Sequence, residues 1–111
     1  MELNTSILGA VKKGLGISET DAFDGELLIH LNSALSKLNQ NGVGKAIMVE
    51  DSSVTWADFQ DPDQNNLHFA FVPQFVTLSC KVFFDPPPPS MVEYYNRAID
   101  EILWRLRTAY E

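Results

Sequence analysis

Basic residues are scarce in this chain. Eight Lys and Arg stand against fifteen Asp and Glu, a formal net charge of −7, and none of the eight falls between Lys45 and Lys81. Phosphate contacts need cations, so the composition argues against a charge-driven grip on nucleic acid. There is one cysteine, Cys80, so no intrachain disulfide is available. Cys80 lies among apolar residues and is expected to be a small buried hydrophobe, not a nucleophile. His30 and His68 are the only histidines; without an H-x₃-H spacing or a Cys pair they make no zinc site. Asp61, Asp63 and Asn65 imitate the first three ligands of a calcium loop, but Asn66 stands where Gly is required and Val72 where Glu is required. No glycine-rich phosphate loop follows a strand. No apolar run reaches the ~20 residues of a membrane span. The opening Met1-Glu2-Leu3-Asn4 lacks the basic and apolar regions of a signal peptide, so synthesis in the cytoplasm is expected. Nothing remains that would carry catalysis, so no catalytic residue, metal or cofactor is expected.

What the chain does have is enough apolar residue, 45% of 111, for one folded domain spanning 1–111. Its most telling stretch is Phe84-Asp85-Pro86-Pro87-Pro88-Pro89-Ser90. Consecutive prolines cannot continue a helix, because Pro lacks an N–H and pushes the preceding residue out of the α region. An apolar segment therefore stops near Asp85. Ser90-x-x-Glu93 reads as a capping box that starts a new helix, with Pro89 and Tyr94 as a hydrophobic staple. Phe84, Asp85, Pro86, Pro87, Ser90 and Glu93 are thus expected to form a rigid corner.

Other elements follow from spacing. Leu3, Ile7, Leu8, Val11 and Leu15 predict a short amphipathic helix closed by Gly14 and Gly16. Ser18, Thr20 and Asp21 offer caps for a second helix, whose stripe is Phe23, Leu27, Leu28, Leu31, Ala34, Leu35 and Leu38, with Gly42 as its stop. Ile29 lies opposite that stripe and is a candidate contact point. Residues 45–66 are irregular: a short extended piece at 46–49, a helical turn carrying Trp56 and Phe59 capped by Ser52 or Ser53, and a polar turn at 61–66. Residues 67–84 fit two periods. Val76, Leu78, Cys80 and Val82 alternate as in a strand, whereas Val72, Phe75, Val76, Ser79 and Phe83 share a helical face. The length of the apolar run favours helix, with Pro73 tolerated in the first turn.

The final segment is the clearest helix. Val92, Tyr95, Ile99, Ile102, Leu103, Leu106 and Tyr110 form its stripe, and Glu93, Arg97, Glu101 and Arg105 form an i,i+4 ladder on the other side. Trp104 projects roughly 150° away from the stripe, and Tyr94 is also off it. A Trp there is either half-covered by Arg stems or an anchor for a partner. Ile29, Tyr94, Arg97, Trp104 and Arg105 are therefore the candidate subunit or partner contacts.

Phe84-Asp85-Pro86-Pro87 after an apolar segment, followed by Glu101-Ile102-Leu103-Trp104-Arg105-Leu106, resembles the head–tail connector (adaptor) proteins of tailed bacteriophages. Lys12-Lys13-Gly14-Leu15-Gly16-Ile17, Phe23-Asp24, Leu28-Ile29-x-x-Asn32-x-Ala34, Gly42-Val43-Gly44 and Thr55-Trp56-x-Asp58-Phe59 are similar to the rest of that family, in order and over nearly the whole length. Four prolines stand where the family has two or three. The resemblance implies an all-α bundle of about four to five helices, with an irregular central loop and the proline corner before the last helix. It implies helix for residues 67–84.

It further implies a structural virion protein in the head–tail neck, made in the host cytoplasm. Copies would form a ring, typically a dodecamer, beneath the portal protein. The ring would extend the DNA channel and meet a stopper or tail-completion protein. Double-stranded DNA would pass without specific binding, and no membrane would be involved. Glu50, Asp51, Asp58, Asp61 and Asp63 are either a solvated loop or a surface that must not stick to something negative, such as the channel wall. Lys12, Lys13, Arg97, Arg105 and Arg107 are expected in subunit or partner contacts. The alternative is a small acidic phage-encoded host-interaction protein, a DNA mimic or inhibitor. Such a mimic should carry acids spaced like phosphates over a large face.

Overall fold

The computed structural model describes residues 3–110. Met1, Glu2 and Glu111, the ends of the expected domain, lie outside the described residues. Five helices follow one another: α1 (Ile7–Leu15), α2 (Asp24–Gln40), α3 (Trp56–Phe59), α4 (Phe71–Phe84) and α5 (Pro89–Ala109). The fold is all-α, and no strand occurs among the described residues. α4 is the central element and packs against α1, α2 and α5. The helix reading of residues 67–84 therefore holds from Phe71 onward. Pro73 is the third residue of α4, where its missing N–H has no intrahelical acceptor to lose.

The core is built from one stripe of each long helix. α2 contributes Leu27, Leu31, Leu35 and Leu38, and α4 contributes Val72, Phe75, Val76 and Cys80. Ile7, Leu8 and Val11 of α1 close one side. The irregular segment from 41 to 70 supplies Val43, Val49, Trp56, Phe59 and Phe69. α5 is different: Leu106 is the one fully buried residue of its 21. Its stripe rests on the core at half-burial through Ile99, Ile102 and Leu103.

Buried backbone needs partners, and side-chain amides supply them where no ladder exists. Asn32 on α2 accepts from the Val49 N–H (2.7 Å) and donates to the Val49 carbonyl (2.9 Å), as a neighbouring strand would. Gln64 does the same for Gly42 and Gly44, donating to the Gly42 carbonyl and accepting from the Gly44 N–H. These two residues fix the segment from Gly42 to Val49, which belongs to no helix.

Helix ends depart from the sequence reading in five places. α1 begins at Ile7, capped by the Ser6 hydroxyl, and leaves Leu3 outside. Gly14 does not close it; it lies inside, where α4 approaches so closely that a Cβ would come within 2.7 Å of Thr77. The stop is Gly16, at φ 76, with the Ile17 N–H returning to the Lys12 carbonyl. Gly42 terminates α2 in the same way. At the start of α2 none of Ser18, Thr20 or Asp21 caps the helix: Phe23 holds that position, and Thr20 accepts from Ala22 instead. α3 is entered from Thr55, whose N–H donates to Asp58, while Ser53 donates to Asp51 rather than capping.

The fifth correction concerns the corner. α5 starts at Pro89 with Pro88 before it, and no side chain caps it. Pro89 is preset for the first helical position and has no N–H to satisfy. The helix therefore begins a residue before Ser90 could act as its cap. Ser90 becomes the second helical residue, the Met91 N–H bonds the Pro88 carbonyl (2.8 Å), and Glu93 turns forward to Arg97. The Ser90–Glu93 capping box and the Pro89–Tyr94 staple do not form.

Candidate assembly surface

α5 lies against α4 along one side only, and its opposite side is open. Tyr94, Arg97, Glu101, Trp104, Arg105 and Thr108 fall within one arc of roughly 100° on that open side. Tyr94 is 65% exposed and Trp104 63%. Between these aromatics, Glu93 pairs with Arg97 (2.6 Å) and Glu101 with Arg105 (2.9 Å). Both pairs are solvent-exposed, so each adds only tenths of a kcal/mol, roughly, to the helix. They hold the charged side chains extended along the helix between two uncovered rings. Trp104 also stands beside Phe71 and His68 at the rim of an open hollow of about 340 Å³. The structure thus brings together four of the five candidate contacts and keeps Trp104 out of the subunit core.

Ile29, the fifth, is elsewhere. It is 70% exposed on α2 and rims a groove of about 530 Å³ that runs across α4 between α2 and α5. Phe83 shares that rim, 65% exposed, with its ring stacked on His30 at 5.1 Å. The helical period put Phe83 on the buried face of α4. It is exposed because α2 and α5 leave the groove open over that part of α4. Leu67 and Met48 are likewise exposed apolar residues in the irregular segment that periodicity had no means to place.

The corner is held from both sides. The Phe84 ring meets Phe23 edge-on at 5.2 Å, and Asp85 lies 3.4 Å from Lys81 one turn back. Pro86, Pro88 and Pro89 face solvent.

The five candidate acids do not form one surface. Glu50 and Asp51 border a hollow of about 410 Å³ together with Asp21, Asp24 and Lys12. Asp51 accepts from the Ser53 hydroxyl and N–H, and these bonds hold its carboxyl below the usual Asp range. Asp58 is engaged at the start of α3. Asp61 and Asp63 belong to the turn that Gln64 ties to Gly42 and Gly44, beyond the C-terminus of α2. From Leu28, beside the first patch, to Gly42, beside the second, is about 20 Å along α2.

Lys12 is a correction as well. It was expected in a subunit or partner contact. Instead it is 7% exposed, with its ammonium 3.0 Å from both Asp21 and Asp24. Those carboxylates, Asp24 first, raise its pKa. The triad ties α1 to the start of α2. Burial pushes the Cys80 thiol up to about 12, so it is protonated and inert at neutral pH.

No group of His, Cys, Asp and Glu among the described residues is placed to hold a metal ion. No helix among them is long and apolar enough to cross a membrane. The sequence profile of the family described as "Phage connector protein" matches residues 7–111, from the first residue of α1 to the end of the chain. The chain belongs to the phage connector protein family. No curated protein and no solved structure matches it. Connector proteins are structural proteins of the phage particle, so membership implies association with other virion neck proteins and no enzymatic role.

Proposed function

We infer that this connector forms a ring beneath the portal protein, extends the DNA channel there, and offers a stopper or tail-completion protein a platform. The observation that carries the reading is the family match over all five helices. The α5 surface supports it. Trp, Tyr and Arg are the residues that anchor protein contacts most often, and Tyr94, Arg97, Trp104 and Arg105 lie together and uncovered. A ring of many copies needs little affinity per contact. Docking on a symmetric portal raises effective concentration enough to close it. Double-stranded DNA would pass a wall that is neutral to acidic and does not hold it. Glu50 and Asp51, or Asp61 and Asp63, would face the channel. The proposed virion site is the head–tail neck, the copy number twelve, and the chain acts as one domain.

The reading of a DNA mimic has no support from the geometry. Its acids would have to follow the phosphate spacing over one face, and here they divide into patches about 20 Å apart. Mass measurement of the purified connector with and without portal tests the ring. The expected result is a portal-dependent complex of many copies. A monomer that ignores portal under all conditions would overturn it.

A further inference from the structure

The open side of α5 and the groove between α2 and α5 are two different uncovered surfaces on one subunit, and their chemistry is reciprocal. The groove floor is made of small side chains, Ser33, Ala34 and Ser79, with Val82 and Ile99 beside them. A floor of small residues leaves room for a large inserted side chain. Ile29 and Phe83 make its rim apolar. On opposite walls lie one cation, Lys37, and one anion, Asp100, and neither belongs to an ion pair among the described residues. An occupant should therefore present a large apolar group together with both signs of charge. Along α2 the groove runs from Ile29 to Lys37, about 12 Å, or two turns of helix.

The open side of α5 meets each requirement. Tyr94 and Trp104 are large, exposed anchors about 15 Å apart. The Glu101–Arg105 and Glu93–Arg97 pairs put an anion and a cation one turn apart between or beside them. Either pair can exchange across an interface: the Glu towards Lys37, the Arg towards Asp100.

We propose that the groove between α2 and α5 receives the open side of α5 from a second copy of this chain. The contact joins unlike patches, so each copy is bound on one side and binds on the other. Such heterologous contacts close into rings when the rotation permits and otherwise extend as filaments. A groove-to-groove pairing would set the two apolar rims against each other and leave both hollows unfilled. The inference rests on the ring reading above and adds which surfaces make the ring.

The test is cross-linking between two single-site variants of the whole chain. Ser33→Cys marks the groove, and Thr108→Cys marks the open side of α5. Native Cys80 is buried and does not compete. The variants carry different tags and are treated with a flexible bismaleimide, in concentrated solution and on the portal. The expected result is a mixed dimer when the two are combined and no dimer from either alone. A chain carrying both substitutions should give a ladder of multimers. Homodimers of Ser33→Cys alone would overturn the proposal, as would cross-linking of the groove to another neck protein. Rings that assemble on the portal without the mixed cross-link would overturn this contact and leave the ring standing. Absence of any ring and of any mixed product would overturn both.

Discussion

At the scale of single residues, the decisive contrast is between Trp104 and Lys12. Trp104 carries a large apolar ring into solvent on a helix face that contributes nothing to the core. Replacing it should leave the subunit intact and weaken association. Trp104→Ala is expected to leave the melting temperature within a degree or so of the wild type, while assembly on the portal loses about 2 kcal/mol or more, as for a hot-spot Trp. Calorimetry and sedimentation read the two effects separately. Lys12 is the reverse case: a charged side chain almost wholly covered and bound by Asp24 and Asp21. Its folded-state pKa is raised above the ordinary 10.5. A raised pKa of a base contributes stability that is complete below the unfolded value and is lost as pH rises through the folded one. Lys12→Met, which keeps the stem, should therefore melt at lower temperature than wild type at pH 8. The gap should narrow as the wild type is titrated above pH 10.5. A gap independent of pH over that range would show that the triad is not what stabilises the start of α2.

At the scale of elements, the proline corner and Gly44, at the start of the central loop, make opposite demands. Pro86 to Pro88 connect α4 to α5 with no backbone N–H to donate, and they restrict the unfolded chain more than the folded one. Replacing a compatible proline loses roughly 0.4–1 kcal/mol through unfolded-state entropy. Pro86→Ala with Pro87→Ala is therefore expected to lower stability by about 1–2 kcal/mol, keep the far-ultraviolet circular dichroism of wild type, and speed proteolysis at the corner. Loss of helical signal would mean that the corner nucleates α5 rather than aiming it. Gly44 has φ 75, and a Cβ there would overlap the ring of buried Phe59. The αL penalty of roughly 1–2 kcal/mol adds to overpacking of about 1–3 kcal/mol. Gly44→Ala should therefore destabilise by about 2–5 kcal/mol in urea melts. A loss below 1 kcal/mol, roughly, would show that Phe59 can move aside.

At the scale of the whole molecule, the net charge of −7 has to be placed on a surface that faces DNA, a neighbour or solvent. Two acidic patches about 20 Å apart on one subunit are separate candidates for a channel wall. Lys substitution distinguishes them. Glu50→Lys with Asp51→Lys, or Asp61→Lys with Asp63→Lys, should confer salt-sensitive duplex binding on the assembled ring in one case only. The wild-type ring should bind duplex weakly, since released counterions drive such binding and the chain has few cations to supply it. Tight binding by the wild type, or none by either variant, would remove these acids from the wall.

Residues 67–84 fit two periods, and the family resemblance rather than their spacing made them helix and the class all-α. The sequence by itself determined the stops at Gly16 and Gly42, the buried leucines of α2 and the place of the proline corner. These depend on local rules, helical period and backbone permission, which neighbouring residues settle among themselves. The start of α5 was also local but misread, because two local signals competed there. A hydroxyl at Ser90 offered a cap, and a preset φ at Pro89 started the helix first. The open side of α5 was legible from the angle between Trp104 and the stripe. The groove was not, because it exists only between α2, α4 and α5. Only the tertiary structure decided that Lys12 is buried in an ion triad, that Phe83 is exposed, and that Glu50 lies far from Asp61. Each of those outcomes is fixed by what packs against a residue from a distant part of the chain. A period along one helix carries no information about where its neighbour ends.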